Sequence, residues 1–240
     1  MKNLLTIAFL GLLMTIGSGC ETLNQVLTTP LPPSTSEMAG GLKEALNNGI
    51  GKAVSLLGKD GGYFNDQLVK IPFPDDVKVV AKTLTDIGLG SLVTDFERKL
   101  NAGASEGAKL AGPIFANAIK GMSFNDVSNI LLSGNKQAAT DYFKTATSAS
   151  LIQAFSPKIQ QSLDKVGATK AWTDVTSAYN KIPLVKKVNT DLVGYATGKA
   201  MDGLFSKVAI QEGKIRTDVS SRSSELLKKV FGYADEQKSK

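Results

Sequence analysis

From residue 38 onward, apolar side chains recur every three or four positions, the period of a helix with one face turned to a core. Leu42, Ala45, Leu46, Ile50, Ala53, Val54 and Leu57 share one face of a helix predicted over 38–57, which Lys59-Asp60-Gly61-Gly62 ends. Residues 63–73 read as an irregular connector, because Pro72 and Pro74 resist regular structure. A second helix is predicted from Pro74-Asp75-Asp76, with proline and carboxylates in its first turn, to a stop at Gly88. A long third helix is predicted over 91–122. Ser123-Phe124-Asn125-Asp126 has the form of a capping box with Asp in place of Glu, opening a short helix that ends near Gly134. Helical segments over 136–147 and 148–166 follow, with a bend at Pro157. Thr169 is read as the cap of a helix over 170–181, and Pro183 breaks the chain. A second long helix is predicted over 189–215, and 220–231 closes the domain. The charged tail, 233–240, is expected to fray from Asp235. Alternation with period two is nowhere sustained. The pattern predicts an all-α fold: one multi-helix globular domain over 38–232 without internal repeats.

Two of these helices are unusual in composition. Ala102, Gly103, Ala104, Gly107, Ala108, Ala111 and Gly112 crowd the first, and Gly194, Ala196, Gly198, Ala200 and Gly203 interrupt the second. Each helical glycine costs about 1 kcal/mol relative to alanine, so a packing gain is expected in return. The spacings Gly103/Gly107/Ala111 and Gly194/Gly198 predict a closely crossed central pair. The alternative is that the small side chains line a cavity for an acyl chain or another apolar ligand.

The residues before this domain follow a different pattern. Lys2 precedes an apolar run, Leu4 to Ile16, and the small residues Gly17-Ser18-Gly19 follow it. The run is short of the about 20 apolar residues that a membrane-spanning helix requires, and no basic stop-transfer cluster comes after it. Residues 1–19 therefore read as a cleaved secretory signal. Gly17 and Gly19 also fit the ordinary signal peptidase, which would leave a soluble exported protein. Against this, Ile16-Gly17-Ser18-Gly19-Cys20 resembles a bacterial lipobox, with Gly17 where a larger aliphatic is usual, and Cys20 is the chain's only cysteine. A lone thiol at the start of an exported chain would be a liability in an oxidising compartment, whereas as the acceptor of a diacylglycerol it has a use. Residues 20–37, rich in Thr, Ser and Pro, read as a tether. Glu21 is not the aspartate that holds such proteins in the inner membrane of enteric bacteria, which points to the outer membrane, facing the periplasm.

Composition fits this picture: 42% of residues are hydrophobic and 21% charged, as in folded globular chains and not disordered ones. The net charge of +6 is spread among acidic residues, with no run longer than pairs such as Lys186-Lys187 and Lys228-Lys229. A nucleic-acid partner is not expected. The expected partners are the membrane, through the lipid, and an envelope protein or apolar ligand.

The chain contains no histidine, which removes the commonest general base and metal ligand. With Cys20 committed to lipid, thiolate chemistry and Cys/His zinc sites are excluded as well. No catalytic, cofactor-binding or metal-binding residue is assigned, and Asp75-Asp76 is explained as compensation of a helix dipole. The enzyme class to weigh is murein cleavage by a single glutamic acid, for which Glu106 and Glu225 are the candidates. Ala104-Ser105-Glu106-Gly107 lacks the Glu-Ser pairing of that class. Glu106/Lys109, Glu212/Arg216 and Arg222/Glu225 stand three or four apart and are expected mostly to be surface ion pairs. A non-enzymatic binding or structural module is the reading that remains.

Several ordered motifs carry a family resemblance. Gly41-Leu42-Lys43-Glu44-Ala45-Leu46, Asp60-Gly61-Gly62-Tyr63-Phe64 and Ile71-Pro72-Phe73-Pro74 stand near the start. Ile114-Phe115-Ala116-Asn117-Ala118-Ile119, Ala138-Ala139-Thr140-Asp141-Tyr142-Phe143 and Asp202-Gly203-Leu204-Phe205 follow. Glu212-Gly213-Lys214-Ile215-Arg216 and Leu226-Leu227-Lys228-Lys229-Val230-Phe231-Gly232 close the series. From about Gly40 to Gly232 the chain resembles the bacterial family of domain of unknown function 4197. The resemblance implies an exported, helical, often lipid-anchored protein, and brings no activity or catalytic residue with it.

Overall fold

The computed structural model describes residues 31–238 apart from 76, 77, 89, 166, 182, 185 and 186. The expected signal segment and Cys20 lie outside the described residues.

Ser34 and Glu37 decide where the first helix starts. The Glu37 N–H donates to Ser34 Oγ at 3.2 Å and the Ser34 N–H donates to Glu37 Oε2 at 2.7 Å. This capping box opens α1, Thr35–Gly58, so Thr35, Ser36 and Glu37 belong to the helix and not to the tether. Gly61 then turns the chain at a φ of 67°. The connector is irregular, as predicted, but its backbone is satisfied by side chains of the next long helix, as a buried segment requires. Asn101 accepts from the Ile71 N–H and donates to the Ile71 carbonyl, each at 2.8 Å. Tyr63 is fully buried and its hydroxyl donates to the Ala200 carbonyl at 2.7 Å.

The second helix, α2, is Lys78–Asp86. The long third helix is in fact two, α3, Gly90–Ala108, and α4, Ala111–Gly121. Pro113 is the reason. It has no N–H to offer the Lys109 carbonyl, and its ring would clash with that group in a continuous helix. The box at Ser123 and Asp126 forms as predicted, with bonds of 3.2 and 2.8 Å, and opens α5, Phe124–Leu131.

The two segments predicted next are one helix, α6, Ala138–Asp164, which carries Pro157 inside it. Its buried stripe Ala139, Phe143, Thr147, Leu151, Phe155, Ile159 and Leu163 repeats every four residues without interruption. One continuous face thus outweighs the single lost hydrogen bond at the proline. α7, Ala168–Tyr179, starts one residue before Thr169, which is therefore not its cap. α8, Leu192–Thr217, is capped by Asp191, which accepts from the Gly194 N–H at 2.7 Å. A 3-10 turn, Val219–Ser221, leads to α9, Glu225–Lys238. The tail from Asp235 thus continues the helix, and Asp235 is tied to Arg222 at 2.7 Å.

α6 is the central helix, packed against α3, α4 and α8, while α1 lies against α8, α9 and α4. The small residues serve this arrangement differently from the predicted crossed pair. A Cβ on Gly103 would lie 2.8 Å from the Ile159 Cα, and one on Gly107 would lie 2.7 Å from the Phe155 ring. The glycines of α3 therefore admit α6. Gly203 of α8 admits the Tyr63 ring, whereas Gly194 faces its own cap and Gly198 has nothing within 4 Å. Phe115, Phe143 and Phe205 meet edge to face at the centre, with centroids 5.5 and 6.1 Å apart.

Candidate functional site

The first turn of α6 has N–H groups to satisfy, and Gln137 at its N-cap supplies no side-chain bond. Glu212 of α8 supplies them across the seam. Its carboxylate accepts from the backbone N–H groups of Ala139 and Thr140, each at 2.9 Å, and from the Thr140 hydroxyl at 2.8 Å. A carboxylate is favoured there by the positive end of the helix dipole. One turn along α8, Arg216 donates from Nε to Glu212 Oε1 and from Nη2 to the Ile130 carbonyl, both at 2.9 Å. Each side chain of this pair is only 6% exposed. The ends of α5, α6 and α8 are thus bolted together by one ion pair. Arg216 Nη1 is buried and has no hydrogen-bond partner among the described residues.

Arg222 extends the cluster. It donates to the carbonyls of Ile215 and Arg216, at 3.1 and 3.0 Å, closing the open end of α8. Its guanidinium lies 5.7 Å from the Phe231 ring centre. Between this cluster and α1 is an apolar cavity of about 20 Å³, lined by Leu42, Leu46, Ile50, Val208, Phe231 and the ion pair among others. That is room for one water molecule. An acyl chain would enter only if the helices separated.

The outer side of the same α6/α8 seam is more open. A groove of about 380 Å³ runs between Gln137, Thr140 and Lys144 on one wall and Asp202, Phe205, Ser206, Ala209 and Ile210 on the other. Thr140 and Phe205 are buried and form its floor, while Gln137, Lys144 and Asp202 are exposed at its rim. Among the described residues, neither Lys144 nor Asp202 joins an ion pair. The floor is fixed, because Thr140 is held by Glu212 from below.

Glu106 is exposed on α3 and bonded to Lys109 at 2.5 Å. Glu225 is exposed and bonded to Lys228 at 2.7 Å, and Arg222 pairs with Asp235 in its stead. Neither glutamate stands in the apolar pocket that a catalytic carboxylic acid needs, and the two are not brought together. Asp75 pairs with Lys78 at 2.6 Å, and Asp76 lies outside the described residues. Glu212 and Arg216, expected at the surface, are buried. Their signal was present in the sequence: the apolar stripe Leu204, Val208, continued by fours, lands on Glu212 and Arg216. Lys144 and Asp202 carried no such signal, because only the pairing of α6 with α8 makes them neighbours of one groove.

No helix among the described residues is long and apolar enough to cross a membrane. The family model described as "Protein of unknown function (DUF4197)" matches residues 32–232, and the chain belongs to that family. No curated protein and no solved structure matches the chain.

Proposed function

We propose that this member of the family is a non-enzymatic binding module, held at the bacterial cell envelope by a lipid on Cys20, at the outer membrane and facing the periplasm. The observation that carries the binding role is the groove between α6 and α8. Its volume of about 380 Å³ falls within the range of about 300–1,000 Å³ typical of small-ligand sites. Its walls belong to two helices locked together by Glu212, and sites on rigid elements hold a ligand more exactly than sites on loops. The anchor rests on the apolar run, the small residues before Cys20 and the tether after it. Two or more acyl chains on that cysteine give stable attachment, where a single chain holds marginally.

Native mass spectrometry of the full chain, extracted from its own membranes in mild detergent, tests both parts. The expected result is an acyl mass on Cys20 together with a retained small molecule that disappears in an Ala209→Trp variant, whose indole fills the groove. A chain without acyl mass overturns the anchor. An empty wild-type groove, or turnover of cell-wall polymer by the purified protein, overturns the binding role.

A further inference from the structure

Two hydrogen-bonded contacts fix the register of the groove walls. Thr140 of α6 meets Glu212 of α8 at 2.8 Å, and Ser156 meets Thr197 at 3.2 Å. The helices are therefore antiparallel, and Asp202 stands level with about residue 150 of α6. Lys144 lies about six residues away along that axis, about 9 Å at the helical rise per residue. The groove thus has a cation toward one end and an anion toward the other. Between them on that axis lie Phe205 and the hydroxyl of Ser206, while Ala209 stands level with Lys144 and Thr140 lies beyond it.

From this arrangement we propose that the groove binds a short peptide with both termini free, its carboxylate at Lys144 and its ammonium at Asp202. The proposal rests on the groove being the binding site and names the class of its ligand. Length follows from the spacing. An extended chain covers at most about 3.3–3.6 Å per residue, so at least about three residues are needed to span the backbone spacing of about 9 Å. A free amino acid, whose two charges are separated by only two bonds about one carbon, reaches one rim charge and not the other. The Ser206 hydroxyl between the rim charges matches an amide of the peptide, and the apolar floor takes a small side chain.

The test is calorimetric titration of the detergent-solubilised full chain with trialanine, its N-acetylated, C-amidated and doubly blocked forms, and alanine alone. Trialanine is expected to bind a few-fold to about tenfold tighter than the doubly blocked peptide, the combined effect of two exposed charge contacts, and alanine to bind no better than that blocked form. Lys144→Gln is expected to abolish the preference for a free carboxylate alone, and Asp202→Asn the preference for a free amine alone. Indifference to blocking, unaltered preferences in the two variants, or no saturable binding of trialanine overturns the proposal. A retained molecule that Ala209→Trp removes, combined with failure of trialanine, would sink the peptide class and leave the binding module standing.

Discussion

Replacing glycine by alanine should have opposite consequences at two positions of this protein, although the local chemistry of the change is the same. In each case the new methyl group removes the helix penalty of glycine, a gain of about 1 kcal/mol. At Gly198 nothing lies within 4 Å of the added Cβ, so the gain stands and Gly198→Ala should stabilise by about 0.5–1 kcal/mol. At Gly103 the added Cβ would fall 2.8 Å from the Ile159 Cα, 3.0 Å from the Ser162 Cβ and 3.3 Å from the Lys158 carbonyl oxygen. The nearest atom is backbone, so no rotamer change relieves the clash, and α3 and α6 must move apart by about 1 Å. A gap of that size forfeits a quarter to a half of each dispersion contact along the seam, and overpacking of this kind costs about 1–3 kcal/mol. Buried Leu100, Phe155, Ile159 and Leu163 belong to the helices that would be pushed apart, which places the cost at the upper end. The net loss for Gly103→Ala should be about 2 kcal/mol. Urea denaturation followed by far-ultraviolet circular dichroism gives both numbers. A Gly103→Ala variant as stable as the parent would refute the packing of α3 on α6 described above, and a destabilised Gly198→Ala would refute the open space at Gly198.

Three further predictions concern the ion pairs and the anchor. Glu212→Ala strands a buried guanidinium and the first N–H groups of α6, and should cost about 3–5 kcal/mol in urea denaturation; Glu212→Leu with Arg216→Met should lose less than the two single changes combined. The Lys229 ammonium and the Ser34 N–H beside Glu37 hold its carboxyl down at about 2, below the ordinary 4.5. Because the folded value is the lower one, this contribution to stability is complete above about pH 4.5 and is lost as the pH falls through about 2. Glu37→Gln should therefore flatten the fall in denaturation midpoint between pH 5 and pH 2, and an unchanged pH profile would count against the contact. Cys20→Ser should release the protein from the membrane pellet into the soluble fraction on cell fractionation, and continued sedimentation with the membrane would contradict the anchor.

Most helices were legible from the period of their apolar residues, because each buries one stripe against a common core. Boundaries were legible where capping chemistry is local, as at Ser123 and Asp126. The same chemistry at Ser34 and Glu37 was obscured by the Pro- and Thr-rich residues just before it. The break at Lys109 and Leu110 went unread because a run of Ala and Gly sustains the helical pattern through it, and Pro113 acts four residues upstream of itself. Asp235 read as part of a solvated tail, yet Arg222 reaches it from the other side of a turn. Ion pairs are legible in sequence as spacings but not as burials. Glu212 and Arg216 are buried because the first turn of α6, more than seventy residues earlier, brings its N–H groups to them. The groove was the least legible of all, since its two rim charges share no helix.

The docking of α9 against α1 has a consequence for the order of events during synthesis. Val230 presses into the space over Gly41, and Lys229 reaches Glu37 at 2.6 Å, so an early helix is covered by one made much later. At about 5–20 residues per second, the ribosome takes on the order of ten seconds or more to travel between them. For most of that interval the apolar face of α1 has neither α8 nor α9 to cover it. A chain in this state has not closed its core, which is the condition in which it can be held by a chaperone.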